Sequence, residues 1–381
     1  MKYCTRCVMP DTKPDLYFDE EGVCNACRNF ENRPTINWIQ RRQELSALIE
    51  QYRSADQSNW DCIVPVSGGK DSTFQVIKML ELGLNPLCVT ATTCHTSEIG
   101  LRNIENIKHL GVDYLEFSPN PLVRRKLNRI GLTEVGDISW PEHVGIFTIP
   151  ITVAVHYGVK LIVWGENSQN EYGGPASDTK NNVLTRRWLE EFGGLLGMRV
   201  TDMIGLEGIS KKDLIPYSYP SDDELKRVGV TGIFLGYYLP WDGYSNALLA
   251  QAHGFETFHK TIEGSVVNYE NLDNHQTGIH DYFKYLKFGF GRATDIVCLH
   301  VRRGRITREE AVSLVRKHDG KFPWTYLGKP LEDILEPLEL SVDEFIKICD
   351  RFTNKKIFKT DSRGNLMKDK RGSLQKIFNE Y

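Results

Sequence analysis

With 381 residues the chain is longer than one domain usually runs, so a main α/β domain with one or two smaller units is expected. Its 47 Lys and Arg against 50 Asp and Glu leave a formal net charge of −3, without the basic field that non-specific nucleic-acid binding needs. The start, Met1-Lys2-Tyr3-Cys4, has no apolar stretch behind a basic segment, and no run approaches the ~20 apolar residues of a membrane span, so a cytoplasmic protein with no membrane contact is expected.

Residues 1–35 hold turn formers and little apolar periodicity, too little to bury a core unaided. They also hold Cys4-x-x-Cys7 and Cys24-x-x-Cys27, with sixteen residues between the pairs, a spacing suited to a four-thiolate zinc site. Two disulfides or a redox pair are the alternatives, but redox Cys-x-x-Cys pairs normally open a helix after a strand, and this sequence is rich in turns. A zinc knuckle module staple is therefore predicted. Cys62, Cys88, Cys94, Cys298 and Cys349 stand alone and are expected mostly in the core. Residues 36–60 form a linker, with Trp38, Ile39, Leu45, Leu48, Ile49 and Tyr52 on one side of a helix and a loop from Ser54 to Asn59.

The main domain, 61–255, opens with the apolar run Asp61 to Val66, a Gly-rich turn and a helical pattern from Asp71 to Leu80. Strands are predicted again at Asn85 to Ala91 and Asp113 to Phe117, with a helix from Glu98 to Leu110 between them and another from Pro119. Ile146 to Tyr157 reads as a buried helix, Lys160 to Trp164 as a buried strand, Gly232 to Tyr237 as a later strand and Asp242 to Ala252 as a helix. This alternation predicts a parallel sheet flanked by helices. Residues 256–381 turn helical, with capping boxes at Thr307-Arg308-Glu309-Glu310 and Ser341-Val342-Asp343-Glu344, and end in a basic, polar, partly ordered tail from Lys355 to Lys376.

Between the first strand and helix stands Ser67-Gly68-Gly69-Lys70-Asp71-Ser72. A turn there aims free N–H groups and the positive end of a helix dipole at one point, where a phosphate is held. Gly68 and Gly69 permit close backbone approach, Ser67, Ser72 and Thr73 add hydroxyls, and Lys70 adds charge. The loop is too short for the G-x-x-x-x-G-K-[ST] phosphate loop. It resembles the S-G-G-x-D-S signature of the PP-loop ATP pyrophosphatases. That resemblance implies an adenine nucleotide alpha-hydrolase-like fold and cleavage of ATP to AMP and pyrophosphate. It also places adenosine at Ala91 and Thr92, with Thr93 beside them. Gly165-Glu166-Asn167 ends a later strand on the same sheet edge, where Glu166 either helps hold Mg²⁺ or caps a helix.

From His280 to Asp295 the chain is dense in aromatics, cations and glycine, a mixture that suits an anionic sugar nucleotide. Lys284, Lys287 and Arg292 are the candidate substrate-binding cations; the alternative is a helix with core-facing aromatics and solvated lysines. Arg302-Arg303-Gly304-Arg305 is a second cationic cluster, either surface or phosphate contact. Together with the knuckle Tyr3 to Pro10, the Ser67 to Ser72 loop and Trp164-Gly165-Glu166-Asn167, the Lys284 to Asp295 stretch resembles N-acetyl sugar amidotransferases of the WbpG and PseA type. That resemblance implies ATP, Mg²⁺ and Zn²⁺ as cofactors and adenylation of an acetamido oxygen on a nucleotide sugar. Ammonia then replaces the oxygen, giving an acetamidino sugar for O-antigen, lipopolysaccharide or flagellin glycans. Lys70, Asp71 and Arg292 are the candidate catalytic residues.

Position 2 is Lys2 and no nucleophile-elbow cysteine is evident, so this chain supplies no glutaminase. The resemblance implies a partner glutaminase of the imidazole-glycerol-phosphate synthase type together with its barrel subunit. Two alternatives remain open at this point: a tRNA-thiolating PP-loop enzyme, for which Cys94 is the relevant residue, and a non-catalytic module binding zinc and nucleotide. His280, Asp281 and Glu166 are unranked candidates for a general base.

Overall fold

The computed structural model describes residues 1–54, 56–166, 183–184, 197–369 and 372–378. Its centre is one sheet of β1 (Cys62–Pro65), β2 (Pro86–Ala91), β3 (Asp113–Phe117), β4 (Leu161–Trp164), β5 (Val183–Leu184) and β6 (Thr231–Phe234), in the order β3-β2-β1-β4-β6-β5. The first five in that order are parallel, as the alternating sequence predicts, and β5 adds an antiparallel edge. Register pairs Ile63 with Leu87 on one side and Ile162 on the other, and Val163 with Ile233. Strand order reverses at β1, so the crevice beyond the carboxyl ends of β1 and β4 is the place for a ligand.

Alternate strand residues face opposite layers. Cys62, Val64, Val163 and Ile233 meet Leu45 and Ile49 of α2 (Trp38–Tyr52) and Phe74, Val76 and Met79 of α3 (Lys70–Glu81). Ile63, Leu87, Val89, Ile162 and Phe234 meet Ile149, Ile151 and Ala154 of α6 (Trp140–Tyr157). Helix α6 is apolar nearly all round because it is enclosed, with the sheet on one side and α5 (Pro121–Ile130) and the segment Met203–Tyr217 on the other. It also begins earlier than its apolar run suggests, with Pro141 in its first turn, where a missing N–H costs nothing. The predicted strand Gly232 to Tyr237 is cut short at Phe234, since Leu235–Tyr238 turns into one helical turn.

The C-terminal region contains helices at Thr277–Phe288, Arg292–Arg302, Arg308–His318 and Val342–Phe352, the last two opened by the expected capping boxes. Its core joins Phe283, Leu286, Leu331, Leu335, Phe345 and Phe358 to Leu132 and Ile138 of the α5–α6 connection. The basic tail is more ordered than its composition suggests: bridges Phe358↔Lys376, Thr360↔Leu366 and Lys368↔Leu374 fold it back on itself. The N-terminal module packs against this region rather than the sheet, with Val8, Met9 and Val23 sharing a cluster with Phe290, Val297, Ala311 and Val315.

One segment stitches the C-terminal region to the sheet domain. Leu272 to His275 crosses the start of α4 (Glu98–His109): Ser97 N–H donates to Asp273 O at 2.9 Å, His275 N–H to His95 O at 2.8 Å, and the Ser97 hydroxyl to Leu272 O. Gly100 makes the crossing possible, since a Cβ there would stand 2.7 Å from Asp273 Cα and 2.9 Å from its carbonyl oxygen. Gly100→Ala is therefore expected to lower stability by about 1–3 kcal/mol through overpacking, seen as a lower melting temperature, whereas Gly83→Ala, next to open space but strained by positive φ, should cost only about 1 kcal/mol.

Candidate active site and thiol cluster

The loop from β1 into α3 forms a tight backbone cradle. Gly68 takes a positive φ of 81°, and a Cβ on it would come within 3.0 Å of Ile104 N and Cγ1. Gly69 is the N-cap of α3 and its carbonyl accepts from the Ser72 and Thr73 hydroxyls, both at 3.0 Å. Ser67 N–H donates to Ser72 Oγ at 3.4 Å, and Ser67 Oγ accepts from Gly69 N–H at 3.3 Å. The hydroxyls thus first shape the turn.

A cavity of about 580 Å³ opens at the carboxyl ends of the strands. Ser67, Asp71 and Ser72 of the loop and helix line it, as do Ala91, Thr92 and Thr93 after β2, and Gly165 and Glu166 after β4. Thr73 is buried behind the loop, and Asn167 lies outside the described residues. Asp273, from the stitching segment, and Arg124, from α5, complete the wall. Neither was signalled by sequence: each reaches the cavity only because a distant segment docks there. Arg124 donates to Thr92 O at 2.7 Å and to Cys94 Sγ at 3.0 Å. The Cys94 thiol is pushed up, chiefly by burial, so it is held as the neutral thiol.

Lys70 does not reach the cavity lining. Its buried Nζ lies 2.5 Å from Asp71 Oδ2 and 2.8 Å from Glu270 Oε1. Burial alone would lower its pKa, but the two carboxylates outweigh it and hold the ammonium charged. Asp71 is in turn oriented by Asn246 Nδ2, 2.8 Å from Oδ1. Glu270 and Asn246 could not be picked out by sequence spacing.

The three cations of the Lys284 to Asp295 stretch are not brought to this cavity. Lys284 pairs with Asp295 and lies 4.6 Å over the Phe290 ring, and Lys287 donates to Val135 O at 2.7 Å. Arg292 meets Asp281 at 2.9 and 3.2 Å and lines a second cavity, about 290 Å³, with Lys260, Lys321, Tyr282, Phe322 and Trp324. Of the second cationic cluster, Arg303 and Arg305 clamp Asp242, the N-cap of the helix Gly243–Ala252.

The four N-terminal cysteines converge. Cys4 Sγ lies 3.9 Å from Cys27 Sγ and Cys7 Sγ 3.8 Å from Cys24 Sγ, with all four sulfurs within 4.8 Å of one another. Sulfurs at about 2.3 Å from a tetrahedral zinc stand about 3.8 Å apart, so the set fits that ion, whereas a disulfide would need about 2 Å. Backbone N–H groups of Cys7, Cys24 and Cys27 point at the sulfurs at 3.2–3.5 Å. The partly buried Arg302 guanidinium faces Cys27, Cys7 and Cys24 at 3.5–4.0 Å. Four thiolates around Zn²⁺ carry a net charge near −2, which Arg302 and the amides offset.

The fold and site define a parallel α/β protein with a glycine-turn backbone cradle at the switch point, joined to a four-thiol module. Residues 255–371 match the family model described as "LPS biosynthesis protein WbpG-like, C-terminal domain", so this part of the chain is similar to that domain. No curated protein matches the sequence. Among solved structures, NMN synthetase from Francisella tularensis is similar at 13% identity over 51% of this chain and 92% of that one, with a TM-score of 0.26, too weak to bear on fold or function. Among the described residues no helix is long and apolar enough to cross a membrane.

Cys4→Ser is expected to release the metal and lower the melting temperature by several degrees, measured by elemental analysis and calorimetry on the same samples. A pH effect follows from His95, which burial pushes down to about 4 from 6.5. Between those values the unfolded chain binds the extra proton, so stability falls as pH drops from about 6.5 towards 4, by on the order of 3 kcal/mol in full. Urea titrations of wild type and His95→Asn at pH 7 and 5 should show a steeper loss in wild type.

Proposed function

We propose that the chain is the ATP-consuming component of an amidotransferase that converts the acetamido group of a nucleotide sugar into an acetamidino group. The observation that carries this reading is the meeting, at one cavity, of the Ser67–Ser72 cradle and Asp273 of the WbpG-like domain. The loop's N–H groups and the start of α3 suit the pyrophosphate of ATP, and the β2 end suits adenosine. A Mg²⁺ ion among the phosphates takes oxygen ligands, for which Asp71 and Glu166 line the cavity. Lys70 positions Asp71 through their ion pair and adds charge behind the loop.

In this scheme the acetamido oxygen attacks the α phosphorus of ATP and pyrophosphate leaves. Ammonia then adds to the imidate carbon, loses a proton, and AMP departs with the former carbonyl oxygen. Loop donors offset the charge that gathers on the leaving pyrophosphate. Arg292, with the lysines and aromatic rings of the second cavity, suits the diphosphate and base of a sugar nucleotide. Ammonia comes from a partner glutaminase with its barrel subunit. A neutral Cys94 held against Arg124 weighs against sulfur transfer to a tRNA base, because the nucleophile of such chemistry is a thiolate.

Wild-type protein with ATP, Mg²⁺, ammonium and UDP-N-acetyl sugars should release AMP and pyrophosphate and yield a product in which NH replaces O, read by mass spectrometry. Asp71→Asn should lower turnover at least ~100-fold with the melting curve retained. Cys94→Ser should leave turnover within a few-fold of wild type; its complete loss, with the fold intact, would favour the thiolation chemistry instead.

A further inference from the structure

We propose that Asp137, His143 and His280 bind a divalent first-row transition-metal ion, at a site separate from the four cysteines. Asp137 lies in the turn between α5 and α6, His143 in the first turn of α6, and His280 in the helix Thr277–Phe288 of the WbpG-like domain. Two units of the chain are therefore needed to assemble the site.

Asp137 is buried, with Oδ2 3.0 Å from His143 Nδ1 and Oδ1 2.8 Å from His280 Nδ1. The imidazole rings cross at 76° with centroids 5.0 Å apart, and one ligand atom from each residue lies within 4.8 Å of the others. Imidazole nitrogen and carboxylate oxygen bound at about 2.1 Å in neighbouring positions at right angles stand about 3 Å apart, so small rotations admit an ion among them. Imidazole donors select Zn²⁺, Fe²⁺, Co²⁺ or Ni²⁺ over Mg²⁺ and Ca²⁺. Three protein ligands leave positions open, and both histidines are partly exposed, 27% and 28% at the side chain, so water can complete the shell.

The surroundings are short of hydrogen-bond donors. Ser139 N–H already occupies Asp137 Oδ1, and the Ser139 hydroxyl accepts from Gln276 Nε2 at 3.2 Å. Glu142 Oε2 accepts from Asn128 Nδ2 at 2.7 Å. Yet Glu142 Oε1, Gln276 Oε1 and Asn128 Oδ1 are buried acceptors with no donor, on residues adjacent to His143, one turn before His280, and one turn of α5 from Arg124. Metal-held water supplies donors that the protein lacks at these acceptors.

The competing arrangement is a metal-free clamp in which each imidazole donates Nδ1–H to Asp137. Full-length protein with zinc in the cysteine site is titrated with Co²⁺, reading visible absorption and metal content after gel filtration. One further metal equivalent per chain is expected, with the weak d–d bands of nitrogen and oxygen ligation and no sulfur charge transfer. In the His143→Asn, His280→Asn double variant, where the amide retains a donor towards Asp137 but no imidazole lone pair, that equivalent should vanish while the cysteine-bound zinc stays. Should that variant fail to fold, His280→Asn alone is expected to weaken Co²⁺ binding at least ~10-fold. Absence of the further equivalent in wild type, or its persistence in the double variant, overturns the proposal.

Discussion

Lys70 is the ion on which the arrangement of this molecule turns. It begins α3, so its backbone belongs to the glycine-turn cradle, while its buried ammonium is held between Asp71 and Glu270. An ammonium buried this deeply persists as a charge only with such partners. Because Glu270 comes from the segment that also carries Asp273 over Gly100, the pair ties the geometry of the loop to the docking of the C-terminal region. The cradle is open towards one cavity and braced from behind by another part of the chain.

The thiol module follows the same logic at the other end. Its cysteines supply ligands but little apolar surface, and the module is closed by Phe290, Val297, Ala311 and Val315. Arg302 comes from that same surface and faces the sulfurs, so an ion held by the four thiols and the docking of the module would support each other. A zinc-bound tetrathiolate is a buried anion, and a cation from the surface it docks on is what lets it stay buried.

The sequence was most legible where chemistry is local. Strand and helix alternation from Asp61 to Ala252, the capping boxes at Thr307 and Ser341, the turn at Gly68 and the cysteine spacing each depend on contacts within a few residues, and these elements stand close to where periodicity places them. The boundaries that moved have tertiary causes: Pro141 and its neighbours join α6 because the helix is enclosed, and β6 stops at Phe234 where Leu235 turns into the core.

What spacing could not foresee was which partner each charge would meet. Lys284, Lys287 and Arg292 look alike in sequence, yet the fold gives one an aspartate, one a backbone carbonyl and one a place on a second cavity. Arg302 to Arg305 read as a single cluster and divide between the thiols and Asp242. The sequence alone determined the parallel α/β class, the glycine turn and the four-thiol set, since each is written in residues near one another in the chain. Only the tertiary structure decided which charges stay buried and paired and which face a cavity, because desolvation and Coulomb energy depend on neighbours that the fold brings together, from 11 residues apart for Lys284 and Asp295 to 275 for Arg302 and Cys27.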